Sequence, residues 1–479
     1  MSTLLDSLES RFLTDALPTL SEYITIPCLS PAFDPEWSAH GFLDQAAELF
    51  REWSLKRRIP GMEISLRTIT GRTPALFIVV PASPGVDESL GTTLLYGHLD
   101  KQPPLGTWSE GLGPFVPVRS GDLFYGRGAA DDGYALFAAL GAIEALCDSG
   151  RPHGRCVVLI EASEESGSPD LEAHLHAVTA DLGTVDLVIC LDSGALDYER
   201  LWITTSLRGN LIATVKVEVL TSGVHSGEAG GVIPSSFRIL RQLLQRIEDA
   251  ETGEILLPEL SARPPASALA AAASLSAELD DPLSRHFPTT EHLQLMGRDG
   301  AERLVRQSWS AALEVTGISG IPPVAEGGNV LRSSTTAKLS LRLPPSVDAT
   351  RAQAALTRAL KSDPPSNATI TVTSEEPAQG WVAREPARWL AHALDAASRE
   401  TFDQPPGFLG EGGSIPFLAS LGLRFPDAQF IATGVLGPGS NAHGIDESLH
   451  LPCTLRVAAS IALILEAHAL HGSEEPLNA

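Results

Sequence analysis

The sequence predicts an α/β fold: a mixed, largely parallel sheet sandwiched by helices and interrupted by a smaller α+β domain. Three observations predict it. CVVLIEAS (156–163) and VDLVICLDS (185–193) are continuous apolar runs, the mark of strands covered on both faces. Such runs alternate with stretches whose apolar residues recur every three to four positions, as in helices packed on a sheet. LIATVKVEVL (211–220) and TTAKLSLRLP (335–344) instead alternate apolar with polar, as strands with one wet face do.

In chain order, 4–26 and 40–58 read as amphipathic helices. ALFIVVPA (75–82) and TLLYGHLD (93–100) read as strands, and 129–146 as a helix after a turn. The two continuous strands follow. The texture changes near residue 206, where the alternating strands begin, separated by helical patterns and an Ala/Pro-rich stretch (261–274) read as an insertion or surface helix. Residues 387–401 return to helix and FIATGVLG (430–437) to a buried strand. The expected division is therefore 1–206 and 386–479 as two parts of one domain, with 207–385 as the smaller domain between them. No internal repeat is visible.

The chain has 479 residues, 43% of them hydrophobic and 19% charged, enough apolar surface for a large core and too much for a disordered polymer. Its 34 Lys and Arg against 59 Asp and Glu leave a formal charge of -25, so nucleic acid and anionic membrane are not expected partners. Five scattered cysteines without a CxxC pair argue against a disulfide framework or thiolate zinc knuckle. The N-terminus lacks the basic flank and apolar run of a secretion signal, and no uninterrupted apolar window reaches membrane-spanning length. The expectation is a reduced, soluble, cytoplasmic protein.

Polar residues stop looking random at strand ends. His98 and Asp100 follow TLLYG and point the same way in extended chain, so the acid could orient the imidazole. By itself this triplet is also an ordinary polar strand end. GRGAADDG (126–133) imitates a dinucleotide loop for three residues, but Asp131 stands where glycine is needed and would repel a pyrophosphate. Asp131 and Asp132 can equally serve as helix-start charges. Glu164 and Glu165 end the run from CVVLI, where uncompensated carboxylates are costly, and Asp192 closes another apolar strand. His443 lies in the small-residue loop GPGSNAHGIDES. Ligands of open parallel sheets collect outside strand carboxyl ends. His98, Asp131, Glu165, Asp192 and His443 form a set suited to two divalent ions sharing one carboxylate, with Glu164 left as a base.

These strings carry a family resemblance. YGHLD, FYGRGAADDG, EASEESGS, LDSG, LRG, GVHSGEAGG, EGGSIP and GSNAH, spread over about 93–447, resemble the dinuclear zinc peptidases that include carnosinase, bacterial dipeptidases, glutamate carboxypeptidase and acetylornithine deacetylase. The resemblance implies a catalytic domain interrupted by a lid and dimerisation domain, and a homodimer. It implies that His98 and Asp192 bind one zinc, Glu165 and His443 the other, and that Asp131 bridges them. Manganese or cobalt would suit the same donors. Asp100 would orient His98 and Glu164 would be general base and acid.

His225 resembles the family's lid histidine, which reaches the partner subunit's active site, although it also fits a solvated hairpin. Asn329 resembles the lid asparagine near substrate, and Gly412, Gly413 and Ser414 the loop receiving the substrate carboxylate. Three departures stand out. Gly133-Tyr134 follows Asp132 where many relatives carry Lys-Gly, Gly410 replaces an arginine before EGGS, and Arg332 takes the place of a common proline and could supply a carboxylate anchor. The expected reaction is amide hydrolysis of dipeptides or short peptides, with N-acyl amino acids as the alternative substrate and a non-catalytic relative as the remote one.

Overall fold

The computed structural model describes residues 3–471 apart from Glu88, His286, Pro288 and Ser414. The chain divides into two compact units. The first runs up to Thr205 and resumes over Ala383–Leu409 and from Ser420; the second comprises Ser206–Val382 and Gly410–Ala419. The return of Gly410–Ala419 to the second unit has no counterpart in the sequence reading.

The first unit is built on a mixed sheet. Its centre is four parallel strands in the order Cys156–Glu161, Thr92–His98, Val185–Cys190 and Gln429–Ala432. Ala75–Val80 and then Glu63–Arg67 extend one side antiparallel, and Trp202–Leu207 begins the other. The first three of these strands are buried almost throughout, which explains their largely apolar sequence. Thr92–His98 is followed in sequence by the helix Ala135–Ser149 and then by the strand on one side of it, whereas the next strand in sequence lies on its other side. Strand order therefore reverses around Thr92–His98, the kind of position at which open α/β sheets bind ligands.

Helices Leu17–Thr25, Phe42–Ser54, Ala135–Ser149 and Leu451–His471 contribute to the same buried core as these strands. Leu451–His471 is long and apolar enough to cross a membrane by composition, but it is mostly buried within the unit and supplies core residues from Leu451 to Ala469. Two sequence expectations need correction. Residues 4–26 are not one uniform helix, because a π turn at Phe12–Ala16 separates Thr3–Arg11 from Leu17–Thr25. Nor does the helix start at 129: Asp131 and Asp132 are non-helical, joined by a cis peptide bond, and regular helix begins at Ala135.

The second unit has an antiparallel four-stranded sheet, ordered Ala312–Ser319, Ser334–Leu343, Gly209–Glu218 and Thr369–Ser374. Gly209–Glu218 alternates buried and half-buried residues over all ten positions. Leu211, Ala213, Val215 and Val217 share a core with helices Ser236–Leu244 and Ala349–Lys361. The Ala/Pro-rich stretch opens a largely exposed helix, Ala266–Leu279.

Candidate metal centre

Apart from Asp131, which follows Leu123–Tyr125 of a separate three-stranded sheet, the acids and imidazoles singled out in the first unit lie at the carboxyl ends of the four parallel strands or in the loops that follow them. His98 ends its strand, Glu164 and Glu165 form a 3-10 turn three residues past Glu161, and Asp192 lies two past Cys190. His443 is in the loop after Gln429–Ala432, with its backbone in the left-handed region at φ 63°. Four loops far apart in sequence thus meet Asp131 in one place.

Asp131 shows how the cluster is organised. Its Oδ1 lies 3.2 Å from His98 Nε2, and its Oδ2 lies 3.0 Å from His443 Nε2. One carboxylate therefore faces two imidazoles, one with each oxygen. His98 Nε2 is also 3.8 Å from Asp192, and His443 Nε2 is 3.3 Å from Glu165. Single donor atoms of His98, Glu164 and Asp192 lie within 4.8 Å of one another, as do those of His98, Asp131 and Glu165.

The ligand atoms are oriented from behind. His98 Nδ1 donates to the backbone oxygen of Asp100 at 3.1 Å, which leaves Nε2 facing the cluster as the acceptor nitrogen. The Asp100 carboxylate is 3.5 Å from the same ring, but its hydrogen bonds are to the backbone N–H groups of Glu164 and Glu165, both at 3.0 Å. Asp100 thus aims the glutamate pair as well as the histidine. Gln102 donates to Glu165 Oε2 at 2.6 Å. Tyr134 is buried and donates its hydroxyl to the Leu191 carbonyl beside Asp192, while a Cβ at Gly133 would lie 2.4 Å from the Tyr23 ring. Packing thus accounts for the Gly-Tyr departure.

The electrostatics call for positive charge. Burial, then Asp192, pushes Glu164 well up; burial and Asp131 raise Glu165; burial raises Asp192 to about 7. Burial and Asp192 also raise Asp132, whose Oδ2 accepts the His98 backbone N–H at 3.2 Å. Burial works against protonation of His443, yet Asp131 and Glu165 push that imidazole up to about 11. Among the described residues, none of the five carboxylates pairs with Lys or Arg. Buried acids without a cationic side chain, faced by two imidazoles, fit divalent metal ions of borderline hardness.

The family model described as Peptidase family M20/M25/M40 matches residues 94–467. The chain belongs to this peptidase family. Among relatives of the M20 chain, a cysteinylglycine-S-conjugate dipeptidase of Corynebacterium striatum is 27% identical over 383 residues, covering 76% of this chain and 79% of the relative. The human Beta-Ala-His dipeptidase is 25% identical and covers 83% and 79%. In fold the chain matches the di-peptidase Dug1p of Saccharomyces cerevisiae at TM-score 0.77, with 20% identity over 98% of each chain. It matches human carnosine dipeptidase 1 at 0.77, with 22% identity over 98% and 99%. Membership in this metallopeptidase family makes the chain a hydrolase and implies that it binds divalent metal.

The second unit holds the remaining residues singled out in the sequence. His225 is exposed, pairs across a two-stranded ribbon with Val330, and caps a short turn by accepting the Gly227 N–H at 3.1 Å. The Ser226 N–H bonds the Asn329 carbonyl at 3.0 Å, so His225 and Asn329 are neighbours; Arg332 follows, half-buried. Gly412 and Gly413 are held through their carbonyls by the Arg208 side chain and backbone, whereas Ser414 lies outside the described residues. A Cβ at Gly410 would come within 2.5 Å of Ser206 Oγ and 2.8 Å of Ser308 Cβ, so a side chain there would have to displace both serines. Sequence reasoning gave no role to Gln102, Arg127, Arg208 or Glu447, although the last three lie in strings quoted above. Their roles run through backbone carbonyls, amides and distant partners, which leave no spacing signature.

Proposed function

We propose that the protein is a two-metal dipeptidase that hydrolyses the amide bond of dipeptides or short peptides. The split of Asp131 between two imidazoles carries this reading, because it presents two adjoining donor sets that share one carboxylate. His98 and Asp192 would hold one ion, Glu165 and His443 the other, with zinc the first choice and manganese or cobalt compatible with the same donors. Ions bound there would acidify a water and polarise the substrate carbonyl.

The chain's own residues do the rest. Glu164, at the edge of the His98–Asp192 half, takes a proton from the attacking water at a carboxylate oxygen and hands it to the departing amine nitrogen. Asp100 keeps Glu164 in place through its backbone and sets the His98 tautomer. His225 donates to the developing oxyanion across a homodimer, and Asn329, Arg332 and the 412–414 loop bind the substrate ends. The five unpaired cysteines support an intracellular setting.

The dipeptidase names of the relatives support this substrate class over N-acyl amino acids. The test is a panel of dipeptides, including Cys-Gly and β-Ala-His, against N-acetyl amino acids, with metal-stripped and zinc- or manganese-restored protein. Dipeptide turnover that vanishes on stripping and returns with metal is expected. Preference for the N-acetyl compounds would move the enzyme to the amidohydrolase alternative, and undiminished turnover after stripping would end the metal reading.

A further inference from the structure

Behind the metal centre lies a fully buried ion pair that none of the roles above uses. Arg127 Nη1 donates to Glu447 Oε2 at 2.7 Å, and the two side chains are 1% and 0% exposed. Buried pairs of this kind contribute little net stability, because desolvation offsets the attraction. What distinguishes this one is where its remaining bonds go. Glu447 accepts the backbone N–H groups of Gly128, Ala130 and Asp131 at 3.1 to 3.2 Å. Its carboxylate thus fills the amide-lined bend leading into Asp131, the residue shared by both halves of the cluster. Arg127 Nη2 donates to the carbonyl of Gly444, next to His443, at 2.6 Å, and to that of Pro103 at 3.2 Å. Pro103 adjoins Gln102, whose amide holds Glu165.

One guanidinium and one carboxylate therefore tie together three segments that carry or hold metal-facing side chains. Their bonds run to each other and to backbone atoms, not to the side chains of the cluster. A site of this kind works only when its donors stay within about 0.5 Å of their proper places. Asp131 must keep one oxygen near His98 and the other near His443, and those histidines belong to segments 345 residues apart (443 − 98).

We propose that Arg127 and Glu447 are positioning residues that hold Asp131 and His443 at metal-bridging distance, and so set the affinity of the centre for divalent ions. This rests on the two-metal reading. The experiment is competition for Zn2+ between the full-length apoprotein and a chromophoric chelator, with the thermal midpoint of each apoprotein measured alongside. Arg127→Met and Glu447→Gln are expected to weaken binding of at least one ion 10- to 100-fold, the range for lost outer-shell partners. The double variant should be no weaker than the worse single, because either change breaks the same clamp. Arg127→Lys keeps the charge but loses the planar fork, and should fold and lose about five-fold. Arg151→Met breaks a part-buried pair with Glu466 in the same unit and should lower the midpoint while leaving affinity unchanged. Tight wild-type binding with affinity in folded Arg127→Lys and Glu447→Gln within two-fold of it overturns this inference alone. So does failure of Arg127→Lys to fold, since the pair is then a stability element. Wild-type protein that binds no divalent ion overturns the metal reading itself.

Discussion

The two units treat their polar residues in opposite ways. In the first, the acids and His98 are buried or nearly so, and His98, Asp131, Glu164 and Glu165 are held by bonds to backbone or to a second side chain. In the second, His225 and Asn329 are exposed at a two-stranded ribbon, where the Gly227 N–H bonds His225 and the Ser226 N–H bonds the Asn329 carbonyl. The core of each unit is equally dry: Leu211, Val215 and Leu339 are as buried as Leu94 or Val158. The difference therefore lies in the candidate site residues. A buried cluster of like charges needs rigid support to exist before its cations arrive, whereas a residue that meets substrate from solvent needs only a surface to stand on.

Breaking the contrast from the first unit should have the largest effect. Glu164→Gln is expected to lower kcat about 10³-fold, within the range for a lost general acid–base group, while metal content and thermal midpoint stay near wild type. Near-wild-type turnover would remove Glu164 from the chemistry. Next comes the second unit's interior. Leu339→Ala deletes a fully buried side chain and should cost about 2–5 kcal/mol of that unit's stability in denaturant melts, with zinc affinity unchanged. A fall in zinc affinity would show that the metal cluster depends on the second unit's core.

His225→Ala sharpens the contrast further. Loss of one oxyanion donor should lower kcat about 100-fold, and an exposed residue should leave the midpoint unmoved. A lower midpoint with unchanged kcat would make His225 a structural cap for its turn. The smallest effect belongs to Val324→Ala. Val324 is wholly exposed, so the change should stay within about 0.5 kcal/mol of stability. A larger loss on dilution would mean that a second copy covers that side chain in solution.

Much of the architecture was legible because burial writes itself into periodicity. Continuous runs at 156–163 and 185–193 became parallel central strands, and the alternating runs at 211–220 and 335–344 became adjacent antiparallel strands. The strand-end acids stood out because carboxylates are improbable beside such runs without compensation. The helix expected over 129–146 failed at its start, where Asp131 and Asp132 leave helical geometry and the Glu447 carboxylate takes the amides of that bend. Asp100 was expected to serve His98 alone, yet its carboxylate spends its bonds on Glu164 and Glu165. Its partners lie more than sixty residues away, beyond any local pattern.

The sequence by itself determined which segments bury both faces and which bury one, and it marked the acids and imidazoles at their ends, because solvent exclusion acts on residue type at each position. Only the tertiary structure decided that the two oxygens of Asp131 face different histidines, that Gly410–Ala419 rejoins the second unit, and that Arg127 and Glu447 bind three segments together. Those are relations between parts of the chain distant in sequence, set by how strands order themselves in a sheet, and hydrogen bonds through backbone atoms carry no residue signature.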